Sequence, residues 1–220
     1  MEGESSSAPP RGAQDPIGAG HEELLSANGD APSARRRVPA AQRRDELITA
    51  AVHEFARAGL DGTPVERIAR RVGVAQPYVF SLFQSKRELF LAALDRSFER
   101  VAETFREAAA ASEQGRAQDC DGVLMAMGRA YRGLLRSDPD HLMLQHQCYA
   151  ACGADEVVRA RVRHRFARLV DLAREISGAG AEELDDFFRH GMALQVAAAL
   201  GVEDLGVGSS WIAKELRASR

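Results

Sequence analysis

The chain has little of what marks an enzyme, a secreted scaffold or a membrane protein. Three cysteines in 220 residues are too few, and odd in number, for a disulfide framework, and they fit a reducing compartment. No apolar run approaches the roughly 20 residues that a bilayer crossing needs. Neither a secretory signal nor an Arg-rich amphipathic presequence is visible, so a cytoplasmic protein without membrane association is expected. Alternation of period two is missing, which argues against strands, and no repeat of fixed period appears. There is no nucleophile elbow, no phosphate loop and no HExxH. Asp186 and His190, four apart, could pair on a helix, but no third partner is evident. No enzyme is expected. His141, Cys148 and Cys152 fall near one face of a helix, yet no tight CxxC accompanies them. Reduced cysteine is commonly a plain buried residue. No metal or cofactor is expected.

What the chain does have is helical periodicity from about residue 43 onward. The first forty residues are rich in Ser, Pro, Gly, Ala and acids and nearly empty of large apolar side chains, the composition of a disordered tail. That tail ends in Arg35-Arg36-Arg37, either a solubilising run at a domain edge or an arm for a minor groove. Charge is unevenly spread. Residues 1–34 hold one Arg against six acids, whereas Arg35 to Phe90 holds eleven Lys and Arg against six acids. A basic module on a near-neutral chain fits a nucleic-acid reader attached to a domain with another job.

Thr63 to Phe90 carries the sharpest signal. Thr63, Pro64 and Glu66 read as a capping box with proline in the first turn. Val65, Ile68, Ala69 and Val72 form one apolar face. Gly73 suits a left-handed helix end. A second helix over Gln76–Phe83 turns Val79, Leu82 and Phe83 inward and leaves Gln76, Tyr78, Ser81 and partly Phe80 outside. Ser85 and Glu88 form another capping box, which starts a long helix at Lys86. Before all this, Leu47, Ile48, Ala51, Val52 and Phe55 stripe a helix over Arg43–Ala58, closed by Gly59. The unit is small for a core of its own and should lean on the helix from Lys86. It is a helix-turn-helix, whose second helix enters the major groove with residues near its N-terminus. Gln76 there could bond adenine bidentately. Arg67, Arg70 and Arg71 are candidates for non-specific phosphate contacts.

In these residues the chain resembles the TetR family of transcriptional regulators. The resemblance is carried by Phe55-Ala56-Arg57-Ala58-Gly59-Leu60, Thr63, Ile68-Ala69, Gly73-Val74, Pro77-Tyr78-Val79-Phe80, Phe83, Ser85-Lys86 and Glu88-Leu89-Phe90. It implies that Gln76, Pro77 and Tyr78 touch base edges and thymine methyls, and that Thr63 and Lys86 hold phosphates. Phe80 stands where many members carry a Tyr that reaches a phosphate. The Tyr78 hydroxyl is the candidate replacement, and Ser81 lies beside it. Glu66 stands where some members read bases with a basic residue; an acid there serves the cap. The implied fold is all-α: an N-terminal three-helix helix-turn-helix domain (41–88) after the tail (1–40), then a helical-bundle effector and dimerisation domain (89–220). The implied function is a homodimeric repressor on a palindromic operator in double-stranded DNA, released by a small-molecule effector that shifts the fourth helix. The alternative is a DNA-binding regulator without such an effector, controlled by a protein partner or constitutive.

Beyond Lys86, helices are expected over Gly122–Leu135, Asp140–Cys152, Asp155–Ile176 and Ala181 to about Leu200. A bend at Gly206–Gly208 then leads to a last helix from Ser209 that holds Trp211. Arg159, Arg161, Arg163, Arg165 and Arg168 give the long helix from Asp155 a basic exterior. Polar or polarizable groups among apolar ones are the candidates for lining an effector pocket: Met125, Met143, His146, Gln147, Tyr149, Phe187 and His190. Ala193, Ala197 and Gly201, four apart, would allow close helix approach in a dimer, with Gly191 and Trp211 beside them; packing within the chain is the other use of such a stripe.

Overall fold

Apolar residues at helical spacing organise the described part of the chain into eight helices. The structure is a computed structural model that describes residues 39–114 and 120–201, which belong to one compact unit. The helices are α1 (Ala40–Gly62), α2 (Val65–Val72), α3 (Gln76–Leu82), α4 (Lys86–Gln114), α5 (Cys120–Ser137), α6 (Asp140–Ala151), α7 (Glu156–Ser177) and α8 (Ala181–Leu200). No strand occurs among the described residues, so the fold is all-α as expected. The Arg35-Arg36-Arg37 arm, the bend at Gly206–Gly208, the helix from Ser209 and Trp211 lie outside the described residues.

Helix α1 is the hub of the N-terminal region. Its expected stripe is buried, with Leu47, Ala51 and Phe55 fully so. Helices α2 and α3 pack on one side of it and α4 on another, where Phe55 meets Phe90 edge to face with centroids 5.0 Å apart. Its most extensive packing, however, is on α6. The expected support from α4 is present, and α6 adds a second one that was not expected. Nothing in one amphipathic stripe says that a second distant helix will share it.

Gly59 breaks α1 at φ 68°, ψ −174°, a region essentially reserved for glycine. The break frees carbonyls near the helix end, and Thr63 answers them. Its hydroxyl donates to the carbonyls of Gly59 (2.8 Å) and Glu54 (3.1 Å), and its side chain is fully buried. Thr63 therefore does not cap α2. Pro64 occupies that place without a side-chain bond, and Glu66 pairs with Arg70 at 2.9 Å instead of closing a capping box. Unsatisfied carbonyls at a broken helix end compete for a nearby hydroxyl, and here they win. The second capping box forms in shifted form. Ser85 Oγ accepts the Glu88 N–H at 3.1 Å, while the Glu88 carboxylate accepts from Gln84 N–H at 2.7 Å, one residue before the expected one.

In the bundle, α4 packs against α5, α6 and α7, and its stripe Phe90, Leu94, Phe98, Val101 and Phe105 is buried throughout. The exterior of α7 is less freely basic than its sequence suggests. Asp95 on α4 takes Arg161 at 2.6 Å and Arg165 at 2.7 Å, and Arg159 bonds the Cys152 carbonyl and Glu156. Asp155 is the N-cap of α7 rather than its first residue: its Oδ1 accepts from Val157 N–H (2.9 Å) and Val158 N–H (3.1 Å).

Two stability predictions follow from these ends. Gly59→Ala meets a forbidden φ, and its Cβ would sit 2.6 Å from Gln147 Oε1. It should cost about 1–3 kcal/mol, read from denaturant unfolding, and adding Gln147→Ala should restore only part. The Asp155 carboxyl is held below the usual range by the N–H groups of Val158 and Val157, with Arg87 adding to the effect. A depressed folded value means that its stabilisation is present above the ordinary aspartate range and is lost as pH falls through the folded value. Asp155→Ala should cost roughly 1 kcal/mol at neutral pH. Asp155→Asn keeps an acceptor without titrating, so below about pH 4 its stability should fall less steeply than that of the natural protein.

Candidate nucleic-acid interface and bundle cavity

The turn between α2 and α3 is set by two backbone bonds. Gly73, at φ 71°, donates to the Arg70 carbonyl at 3.1 Å, and Val74 donates to the Ala69 carbonyl at 3.0 Å. This is the six-residue closure that glycine permits at a helix end. Ala75 then runs extended into α3, with Pro77 in its first turn. Val79 and the following Phe83 are buried beneath α3, while Gln76, Pro77, Tyr78, Phe80 and Ser81 are all exposed. Tyr78 is 38% and Phe80 43% exposed, large values for aromatic side chains on so short a helix. Ser81 Oγ donates to the Tyr78 carbonyl at 2.7 Å, which leaves its lone pairs to accept.

The other expected surface residues fall differently. Thr63 lies inside, with its hydroxyl engaged as described. Lys86 is partly exposed and donates to the Asp61 carbonyl at 3.1 Å; an ammonium has three N–H groups, so two remain. Arg67 and Arg71 reach the buried Glu54 carboxylate at 3.8 and 3.3 Å, and Arg70 holds Glu66. These three arginines are tied to acids of their own chain.

Two residues that the sequence reading gave no role hold the reading helices in place. Arg43, on the first turn of α1, donates to the Val72 carbonyl at 3.4 Å. Arg44 donates to the Leu82 carbonyl, and its guanidinium lies 3.9 Å from the centroid of the buried Phe83 ring. Each arginine thus supplies a cation to the C-terminus of one reading helix, where the helix dipole favours it. Two adjacent arginines at the start of a helix gave no hint of this, because their targets are carbonyls 29 and 38 residues away.

The bundle forms a half-open cavity of about 410 Å³ lined by α4, α5, α6, α7 and α8. One wall is a run of aromatic rings. Phe105 contacts Phe187 at 5.4 Å, Phe187 contacts Phe188 at 5.3 Å, and Phe188 contacts Phe166 at 5.4 Å between centroids. Of the expected pocket residues, Met125, Tyr149, Phe187 and His190 line this cavity. Met143, His146 and Gln147 do not. Met143 packs into the core, His146 Nε2 bonds the Gln195 carbonyl at 3.0 Å, and Gln147 sits beneath Gly59. They occupy other faces of α6, which helical spacing alone did not resolve. Burial pushes the phenols of Tyr131 and Tyr149 well above their usual range, so both stay protonated as donors.

The lining also includes two glutamines that the sequence reading passed over, Gln145 on α6 and Gln195 on α8. Both are buried. Gln195 Nε2 donates to the Leu142 carbonyl at 2.8 Å and to Gln145 Oε1 at 3.3 Å. Gln145 Nε2 is buried without a partner. Their signal was present as polar residues on the apolar stripes of two helices, at Leu142-Gln145-Tyr149 and Leu184-Phe188-Gln195.

Other expected constellations come apart. Asp186 pairs with Arg189 at 2.5 Å, and His190 bonds the backbone carbonyl of Asp186 rather than its carboxylate. Cys148 is buried, its thiol pushed up by burial and so kept from the reactive thiolate form. Cys152 donates to the Cys148 carbonyl, and His141 faces Asp138 at 3.5 Å. No three His, Cys, Asp or Glu side chains that could hold a metal come together among the described residues. Ala197 is buried inside its own chain, Gly191 lines the cavity where an added Cβ would sit 3.9 Å from Tyr131, and the exposed apolar stripe of α8 is Met192, Val196 and Leu200 instead. No described helix is long and apolar enough to cross a membrane.

Comparison with known proteins points in one direction. Residues 47–93 match the model of a family described as bacterial regulatory proteins, tetR family. Over 72 residues the chain is 36% identical to the HTH-type transcriptional activator FasR of Mycolicibacterium smegmatis; the match covers 33% of this chain and 33% of that relative's length. Among solved structures, a member of the TetR family from Streptomyces coelicolor superposes with a TM-score of 0.61 at 18% identity, covering 81% of this chain and 98% of that one. A TetR-like transcriptional regulator from Rhodococcus sp. RHA1 gives 0.56 at 21% identity, covering 83% and 96%. At such identities the likeness is one of fold.

One prediction concerns the support of the reading helix. Arg44→Ala removes a carbonyl partner and a cation–π contact and should cost about 1–2 kcal/mol. The loss should appear in amide exchange of α3 before that of α4; equal loosening of both would refute a local role.

Proposed function

The chain belongs to the TetR family of bacterial regulatory proteins, and on that premise we propose that it is a sequence-specific DNA-binding transcriptional regulator rather than an enzyme. The observation that carries this is α3. Five of its seven residues are exposed on a helix held from below by Val79 and Phe83. Gln76, Pro77 and Tyr78 lie on its first turn, where a major-groove helix meets base edges, with Ser81 and Phe80 beside them. Gln76 suits adenine, and the Pro77 and Tyr78 surfaces suit thymine methyls. Lys86 supplies phosphate contact through its remaining N–H groups. Thr63 contributes by fixing the end of α1 through its hydroxyl, not by holding a phosphate.

We further propose that it works as a homodimer in the cytoplasm. One head makes few contacts, and two related by a two-fold axis read a palindromic site. The exposed Met192, Val196 and Leu200 on α8 offer the apolar surface for it. A small-molecule effector in the bundle cavity would act on α4 and α6, the two bundle helices on which α1 packs. Differential affinity for two arrangements of these helices is all that release requires. We propose repression released by the effector. Activation is the second reading, because the relative matched through its N-terminal part is named an activator.

The deciding experiment is selection of bound sequences from random duplex DNA at fixed salt. A palindrome with two half-sites is expected; only weak, sequence-independent, salt-sensitive binding would overturn the reading. On the selected site, Gln76→Ala and Tyr78→Ala should each weaken binding by about 1–3 kcal/mol while unfolding shifts by less than roughly 0.5 kcal/mol. Lys86→Ala should instead weaken all sequences alike and reduce the salt slope by about one. Val196→Glu should give a monomer by sedimentation and lose the palindrome. Transcription from a reporter carrying the site, rising or falling when the protein is added, separates activator from repressor.

A further inference from the structure

The cavity's polar groups restrict what can fill it. Gln195 is fixed by the Leu142 carbonyl, which can only accept, so its Nε2 is set as the donor. The same Nε2 faces Gln145 Oε1 at 3.3 Å. Turning the Gln145 amide over would set nitrogen against nitrogen, so its orientation is determined. Gln145 Nε2 is therefore left as a donor, in a residue 4% exposed, with no acceptor among the described residues. Buried donors almost always have a partner. The phenols of Tyr131 and Tyr149, kept protonated by burial, add donors to the same lining.

The rest of the lining argues about charge and shape. Phe105, Phe166, Phe187 and Phe188 make flat, apolar walls. The charged groups of its lining are Asp121, Glu183, Asp186 and Arg132, and Asp186 is already paired with Arg189. Acids still outnumber the one guanidinium of the lining, which disfavours an anion. A volume of about 410 Å³ is within the range of drug-sized sites.

We propose that the cavity takes an uncharged, largely aromatic molecule that presents one carbonyl-type acceptor to Gln145 Nε2. This rests on reading the cavity as the effector site and names the chemical class of the effector. A ligand anchored there touches α6 through Gln145 and α8 through Gln195, and α6 carries Gln147 beneath Gly59 of α1. The donor thus sits two residues from a contact with the reading domain.

Three matched probes test the class on the full-length protein: benzophenone, a neutral diaryl ketone; diphenylmethane, which lacks the acceptor; and 4-benzoylbenzoate, which adds a negative charge. Binding is measured by calorimetry, without DNA. Benzophenone is expected to bind roughly fivefold or more tighter than diphenylmethane, the worth of one neutral hydrogen bond. 4-Benzoylbenzoate should bind more weakly than benzophenone. In Gln145→Leu the two uncharged probes should become equal, with diphenylmethane bound as well as before or better; that result also shows the variant is folded. Equal affinity for the two uncharged probes in the natural protein, preference for the anion, or no binding of benzophenone would each overturn the proposal. The wider reading fails separately. If benzophenone binds as expected but leaves affinity for the selected DNA site unchanged, the ligand class stands and effector control does not. If the DNA site is released by an anionic compound while benzophenone is ignored, the reverse holds.

Discussion

Helix α1 lies between two sets of partners, and the packing of α1 on α6 is the contact on which the rest depends. Helix α1 packs with α2 and α3 of the N-terminal region and with α6 and α4 of the bundle. Gly59 is the point where both sides meet. Its backbone turns where a side chain would strike Gln147, and the carbonyls it frees are closed by Thr63. The bond between His53 Nδ1 and Asp140 Oδ2, at 2.6 Å, spans the same two helices. Because interiors are close-packed and resist compression, displacement of α6 cannot be absorbed at this junction and must appear in α1.

The polar interior is distributed with the same logic. In the N-terminal region the buried groups are satisfied: Thr63 by two carbonyls, and Glu54 by two arginines whose other ends reach solvent. In the bundle Gln145 Nε2 is buried without a partner in a residue that lines the cavity, and Ser97 Oγ, Ser112 Oγ and His141 Nδ1 also lack partners among the described residues. The bundle helices thus carry the unsatisfied buried polar groups that the N-terminal helices do not.

Most of the fold was legible in the sequence because it rests on local signals. Helical periodicity placed the eight helices of the described residues, the last expected from Ala181 to about Leu200, and the positive-φ turns at Gly59 and Gly73 follow from glycine's freedom. The exposed face of α3 was likewise readable from which of its residues are apolar. What was not legible depends on partners far along the chain. Thr63 looked like a cap because its rivals, the carbonyls of Glu54 and Gly59, compete only once α1 is broken. Arg43 and Arg44 gained roles from helices that end at Val72 and Leu82. Met143, His146 and Gln147 shared a helix with the cavity but not a face, while Gln145, one turn from Tyr149, was hidden by its ordinariness. The Ala193, Ala197 and Gly201 stripe suggested contact with a second copy, yet Ala197 packs inside its own chain.

The construction of α3 has a consequence for how such a protein diversifies. Val79, Leu82 and the adjoining Phe83 tie the helix to the interior, with Arg44 on the Leu82 carbonyl; Gln76, Pro77, Tyr78, Phe80 and Ser81 contribute little to burial. Exposed positions away from structural features tolerate replacement at small energetic cost. Mutations that alter the outward face therefore do not draw on the narrow stability margin that limits change elsewhere. The outward face of α3 can therefore change its chemistry while the supporting scaffold stays fixed. Surface chemistry and foldability are separable at this helix.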